Sequence, residues 1–220
     1  AGLGAQLNRI KLGDNVEKIV DVSVDDKNLM ILIVRLKLKE FEWGNDEINM
    51  KEHRRNNTQY NLVAINKASG NILFNNKMKI NPEHNIIDLS IIHNKMFINS
   101  VFDDSLFLWH YNVNDGQHGW TRSFEVSSYY NQNIGLKNLF YNDTILLPYE
   151  DKIIYVDINT GETIYEFADG DVEEIVVCNK NGLINGHLTF IVEDVGYEYI
   201  TIDLDDDSRI LSRGEFESYD

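Results

Sequence analysis

Cysteine is nearly absent from this chain. Cys178 is the single one in 220 residues, so no internal disulfide can form and no cysteine-based metal site can be built. Proline occurs twice, and no segment keeps apolar residues on the 3.6-residue helical period, so both absences favour strands. No apolar run approaches the roughly 18 residues of a membrane-spanning helix. The longest, Leu29–Val34, is short and half β-branched. The chain opens Ala1-Gly2-Leu3-Gly4-Ala5-Gln6, with neither a methionine nor a signal peptide. The expectation is a processed chain or a fragment of something longer.

Basic residues are missing from one region in particular. Residues 149–220 hold 19 Asp and Glu against four Lys and Arg, a net of −15, whereas the rest of the chain is close to neutral. Such a surface repels a phosphate backbone, so nucleic-acid binding is not expected. It either steers a basic protein partner or simply solvates one face.

What is present in abundance is a repeated turn. Its first copy runs Ala64-Ile65-Asn66-Lys67-Ala68-Ser69-Gly70-Asn71-Ile72-Leu73-Phe74, and its third Val156-Asp157-Ile158-Asn159-Thr160-Gly161-Glu162-Thr163-Ile164-Tyr165. Gly70, Gly116 and Gly161 lie 46 and 45 residues apart, and Asp207 stands 46 further on. Four residues before each is Asn66, Asn112, Asp157 or Asp203; four after is Phe74, Trp120, Tyr165 or Leu211. A period of this length with short β-rich runs means a repeated β unit such as a propeller blade.

Each unit reads as four strands. In the third copy these are Leu136–Tyr141, Thr144–Leu147 ended by Pro148, Ile153–Ile158 and Glu162–Phe167, separated by turn residues. The others are Val16–Val24, Leu29–Leu38, Tyr60–Asn66 and Ile72–Met78; Ile86–Ile92, Lys95–Val101, Leu106–Tyr111 and Gly119–Phe124; and Val172–Cys178, His187–Glu193, Tyr197–Leu204 and Arg209–Leu211. One β-propeller-like domain over residues 1–220 is therefore expected, with repeats at about 16–78, 86–124, 136–167 and 172–213.

Two features depart from the period. A polar loop from about Lys39 to Gln59 carries Trp43 and Arg54. A loop that long inside a compact repeat is functional or disordered, and Trp and Arg are residues enriched at binding hot spots. Leu7–Leu12, followed by Gly13-Asp14-Asn15-Val16, matches the end of the third repeat and reads as the fourth strand of another blade. Either it closes the ring, which would demote Arg209–Leu211 from strand status, or the chain is a segment of a larger propeller. An open propeller leaves apolar edges for a partner to cover.

The spacing of Asx, glycine and aromatic resembles the PQQ-like (quinoprotein-type) repeat, with Val156-Asp157-Ile158-Asn159-Thr160-Gly161 and Tyr165 as the nearest match. The resemblance covers roughly residues 14–217 and implies a β-propeller of four-stranded blades. The family holds quinone-dependent dehydrogenases and also scaffolds: the bacterial outer-membrane assembly lipoprotein, luminal domains of endoplasmic-reticulum stress sensors, and the large luminal subunit of the endoplasmic-reticulum membrane protein complex. It implies a periplasmic or luminal setting, although a lone cysteine equally suits the cytoplasm.

Residues for chemistry are sparse. The dehydrogenases need a full ring, a quinone, calcium and a catalytic Asp; four units without a vicinal cysteine pair do not meet this. Asp203, Asp205, Asp206 and Asp207 are dense enough for calcium but lack the glycine and distal glutamate of an EF-hand loop, and they coincide with the repeat turn. The six histidines are not spaced as metal ligands, and no Gly-x-Ser-x-Gly elbow or phosphate loop occurs. The reading is a non-enzymatic interaction module without cofactor, catalytic residue or metal. Its expected contact residues are Trp43, Arg54, Glu173, Glu174, Asp205 and Asp206. Phe74, Trp120 and Tyr165 are expected between blades. An inhibitor or immunity protein for a basic enzyme is the first alternative, and a propeller hydrolase or dehydrogenase the second.

Overall fold

The computed structural model describes residues 12, 15–24, 29–37, 58–125, 138–149, 151–168, 174–177, 183–193, 197–206 and 208–215. These residues form strands and turns only. The first sheet has the order β1 (Val16–Val24), β2 (Leu29–Lys37), β3 (Thr58–Asn66), β4 (Ile72–Lys77). The second runs β5 (Asn85–Ile92), β6 (Lys95–Phe102), β7 (Ser105–Asn112), β8 (His118–Glu125). The third runs β9 (Leu139–Tyr141), β10 (Thr144–Tyr149), β11 (Lys152–Asp157), β12 (Thr163–Ala168). In the fourth, β13 (Glu174–Val177) and β14 (Leu183–Ile184) both pair with β15 (His187–Glu193), followed by β16 (Tyr197–Asp203) and β17 (Arg209–Glu215).

Sequence order equals spatial order in the second and third sheets, where short hairpin turns join antiparallel neighbours. Left-handed residues make the turns possible: His93 and Asn94 between β5 and β6, and Asn142 between β9 and β10, have φ of 47°, 63° and 51°. Such angles favour Asn over residues with bulkier side chains.

The chain divides into two compact units, residues 1–103 with 107–121, and 104–106 with 122–220. In the first, Ile31 and Ile33 of β2 and Leu62 and Ala64 of β3 pack with Met96 and Ile98 of β6 and Trp109 and Tyr111 of β7. The other face of the first sheet buries Leu32, Val34, Val63 and Ile65, against which Leu12 also packs. Burial on both faces explains why β2 and β3 read as continuous apolar runs rather than alternating ones. In the second unit Leu146, Ile153 and Phe167 pack with Leu188, Phe190, Ile200 and Ile202. Each such side chain taken from water contributes about 1.5–3 kcal/mol.

Two expectations need correction. Pro148 does not end its strand: β10 continues to Tyr149, with Pro148 opposite Ile153. Arg209–Leu211 is not demoted; it begins a strand that pairs with β16 from Asp203↔Arg209 to Glu198↔Glu215. The first strand of the fourth sheet, expected over Val172–Cys178, is β13 among the described residues, and a further short strand, β14, pairs along the same edge of β15. The strand over residues 7–12 lies outside the described residues except for Leu12.

Candidate interaction surface

The repeated turn is built from its two most regular residues. Gly70, Gly116 and Gly161 donate their N–H groups to the carbonyls of Asn66, Asn112 and Asp157 at 2.7–2.9 Å. The Asx side chain closes the loop: Asn66 Oδ1 accepts from the Ser69 amide, Asn112 Oδ1 from Asn114, Asp157 Oδ1 from Asn159 and Thr160, and Asp203 Oδ1 from Asp205. The glycines have φ of 73°, 66° and 73°, where a Cβ costs roughly 1–2 kcal/mol. In the fourth copy Ser208 is left-handed, with φ 55°. The turn holds one more residue there, so Ser212 rather than Leu211 takes the register of Phe74 and Tyr165.

The residue six positions beyond the left-handed one joins a sheet to the next. Asn76 Nδ2 donates to the Asp115 carbonyl at 2.6 Å, and Arg122 Nε to the Gly161 carbonyl at 2.5 Å. Phe167 meets Phe190 edge to face, with ring centroids 5.9 Å apart. The fourth residue of the series is Gly214, covered by the Tyr199 ring: a Cβ there would lie 2.5 Å from the phenol oxygen. The following turns are correspondingly buried at Gly116, Gly161 and Ser208, whereas Gly70 is only half-buried. Ser208 also hydrogen-bonds Tyr155.

Of the three motif aromatics, Phe74 reaches the next turn. A Cβ on Gly116 would sit 2.6 Å from its ring. Trp120 meets the rings of Phe97 and His110, and Tyr165 meets that of Tyr155, each within its own sheet. The outer strand carries the aromatic back over its neighbour.

Sequence reasoning missed a polar chain inside the second sheet. Trp109 Nε1 donates to Ser100 Oγ at 2.8 Å, and Ser100 Oγ lies 3.0 Å from His84 Nδ1. The His84 ring stacks on Phe102 and meets Phe107 edge-on, at 5.0 and 4.7 Å, and its backbone carbonyl accepts from Tyr60 Oη. Burial lowers the His84 pKa, against the opposing pull of the Glu83 and Asp103 carboxylates. His110 lies between Phe97 and Trp120, and neither ring nitrogen has a hydrogen-bond partner. Burial, with Lys95 and His118 nearby, lowers its pKa to about 4. Both are neutral packing groups near pH 7. Spacing alone gave no signal for them, because their partners come from other strands.

The predicted contact residues fall unevenly. Trp43, Arg54 and Glu173 lie outside the described residues. Glu174 lies in β13, in backbone register with Glu193. Asp205 and Asp206 are exposed in the β16–β17 turn. Asp205 is already engaged: Oδ1 accepts from Tyr141 Oη at 2.6 Å, and this bond is the main reason the Tyr141 pKa is raised. Gly186 lies under the pair, with room for no Cβ. Asp206 Oδ2 lies 3.2 Å from Arg209 Nε at an exposed site. The other described bases of this region are also matched, Lys152 with Glu166 at 3.0 Å and Arg213 with Glu198. Among the described residues no three His, Cys, Asp or Glu gather as a metal site, and no helix is long and apolar enough to cross a membrane.

Against solved structures, most of the chain is matched. A structure described as the eukaryotic initiation factor aligns over 98% of this chain and 48% of its own, with TM-score 0.57 and 10% identity. The fold is a β-propeller's. The WD40 domain of Neurospora crassa Pan2 aligns over 90% of this chain and 49% of its own, at TM-score 0.48 and 9% identity. Hsv2 of Kluyveromyces lactis aligns over 87% and 47%, at TM-score 0.46 and 14% identity. The chain thus spans about half the length of these structures. No family model and no curated protein matches it.

Proposed function

We propose that this chain is a non-enzymatic interaction module of the PQQ-like repeat type. It works as a scaffold within a larger assembly, and the acidic last third is its recognition face for a basic protein partner. The observation that carries this reading is the state of the bases. Lys152, Arg209 and Arg213 each stand beside a carboxylate, yet residues 149–220 hold 19 acids against four bases. Local pairing therefore uses up the described cations and leaves a large negative excess to draw an oppositely charged surface. The packing of the His84 and His110 rings against aromatic neighbours agrees with a framework role. Trp43 and Arg54 are a second contact point, and the remainder of a larger propeller is a further partner.

Affinity capture with the purified chain tests it. At about 0.05 M salt a basic protein should be retained, and at about 0.5 M, where screening shortens the reach of charge to a few ångströms, it should be lost. Changing Glu173, Glu174 and Asp206 to Lys should abolish capture at low salt. Retention unchanged by both salt and charge reversal would refute the acidic face.

A further inference from the structure

We propose that Lys79 and His118 form a proton-sensitive latch across the joint between the first and second sheets, closed while His118 is neutral and opened when it takes up a proton. Lys79 lies just beyond β4, and His118 begins β8. Lys79 Nζ is 3.1 Å from His118 Nδ1, and His118 Nε2 is 2.7 Å from Thr121 Oγ1. A lysine ammonium has donors and no lone pair, so a ring nitrogen accepts from it only while that nitrogen is unprotonated. The contact therefore fixes one tautomer, with Nδ1 accepting from Lys79 and the Nε2 N–H donating to Thr121. A second ring proton removes the acceptor and sets two positive charges where the hydrogen bond was.

The surroundings set the direction. Around His118 stand Lys79, the β7 residues His110 and Tyr111, and Asp115 in the preceding turn, whose Oδ1 accepts from the Gln117 amide. Lys95 of β6 acts on His110 in turn. Burial first and Lys79 second lower the His118 pKa below its ordinary 6.5. Burial pushes Tyr111 up to about 12, against the Lys79 N–H it accepts, so the phenol stays neutral. The unfolded chain takes up the His118 proton first. The contribution of the latch is complete above pH 6.5 and is lost as pH falls below it. The other bonds of this joint carry no titrating group near neutral pH: Asn76 donates to the Asp115 carbonyl, and the Lys79 backbone N–H to Tyr111 Oη at 3.1 Å. Mild acid thus loosens the joint at Lys79 and leaves Asn76 in place.

Nitrogen-15 NMR of the histidine rings in the 220-residue chain, titrated from about pH 8 to about pH 5, tests this. Above its midpoint His118 should show a bare Nδ1 and a protonated Nε2, and the midpoint should lie below 6.5. Lys79→Met should raise the midpoint towards 6.5, and Lys79→Arg, which keeps a charged donor, should hold it low. Exchange of the Lys79 amide, corrected for its intrinsic pH dependence, should quicken through the same midpoint in the parent chain and in Lys79→Arg, and stay flat in Lys79→Met. His110→Phe should leave the response in place, because His110 titrates at about 4. A proton on Nδ1 in the neutral ring, a midpoint that Lys79→Met does not move, or amide exchange that ignores the midpoint would overturn the latch. Loss of the response in His110→Phe would assign it to that ring and overturn it equally. The test is independent of the acidic face.

Discussion

Arg122 reaches from the outer strand of the second sheet to the carbonyl of Gly161 in the next repeat turn, at 2.5 Å. Asn76 makes the same reach to Asp115 one repeat earlier, again across 39 residues of sequence. The joint is therefore part of the repeat. Removing its donor leaves a carbonyl without its charged partner, which costs about 1–3 kcal/mol. Arg122→Ala should lower unfolding stability by that order in urea titration. Arg122→Gln should recover part of it, because an amide can still donate.

Gly116 is constrained twice, by its φ of 66° and by the Phe74 ring 2.6 Å from where a Cβ would stand. Gly116→Ala should cost about 2–4 kcal/mol, the sum of left-handed strain and overpacking. Phe74→Leu alone also destabilises, but the double variant should lose less than the two costs added. A double-mutant cycle on thermal or urea unfolding measures that coupling. Simple additivity would remove the steric part of the argument.

The turns also show how far the sequence could be read. The Asx and glycine columns were visible as spacing, and the structure supplies their cause in one side-chain cap and one left-handed residue per turn. The fourth turn misled, because Asp203 keeps its column while an added residue moves the left-handed site to Ser208. Spacing cannot reveal a one-residue insertion when the inserted stretch, Asp205-Asp206-Asp207, is uniform. The short strand Leu183–Ile184 did have a signal that went unused, the Asn185-Gly186 hairpin turn, with φ of 52° and 82°. The joints had none, since Asn76, Arg122 and Phe167 share a position and no chemistry.

His110 makes stability depend on pH in a definite direction. Its pKa is about 4 in the fold, below the ordinary 6.5, because burial between Phe97 and Trp120 and the nearby Lys95 and His118 oppose its charge. His118 is lowered too, by burial and by Lys79. The unfolded chain therefore takes up the proton first. The contribution of His110 is complete above pH 6.5 and is lost as pH falls from 6.5 towards 4. Full burial would make this about 1.4 kcal/mol per pH unit, and partial solvent contact makes it smaller. Unfolding followed between pH 7 and 4 should show this slope, and His110→Phe should flatten it.

Asp205 and Asp206 should separate under mutation although they are neighbours. Asp205→Lys loses the Tyr141 bond and crowds Gly186, and it should lower the urea midpoint by more than Asp206→Lys does. Asp206→Lys touches only an exposed ion pair with Arg209 and should change stability by no more than about 0.5 kcal/mol. Urea unfolding of the two variants decides. If recognition uses this turn, Asp206→Lys weakens partner capture without a stability cost.

Hydrogen exchange of the 220-residue chain tests the joints most directly. The first three turns share the same internal bonds, from Gly70, Gly116 and Gly161 to their Asx carbonyls, so any difference between them reports what lies against them. The account predicts slow exchange in the turns at 112–117 and 157–162 and faster exchange at 66–71. Arg122→Ala should release the turn at 157–162 while leaving 112–117 protected. Equal exchange in all three turns, or a response to Arg122→Ala that does not distinguish them, would contradict it.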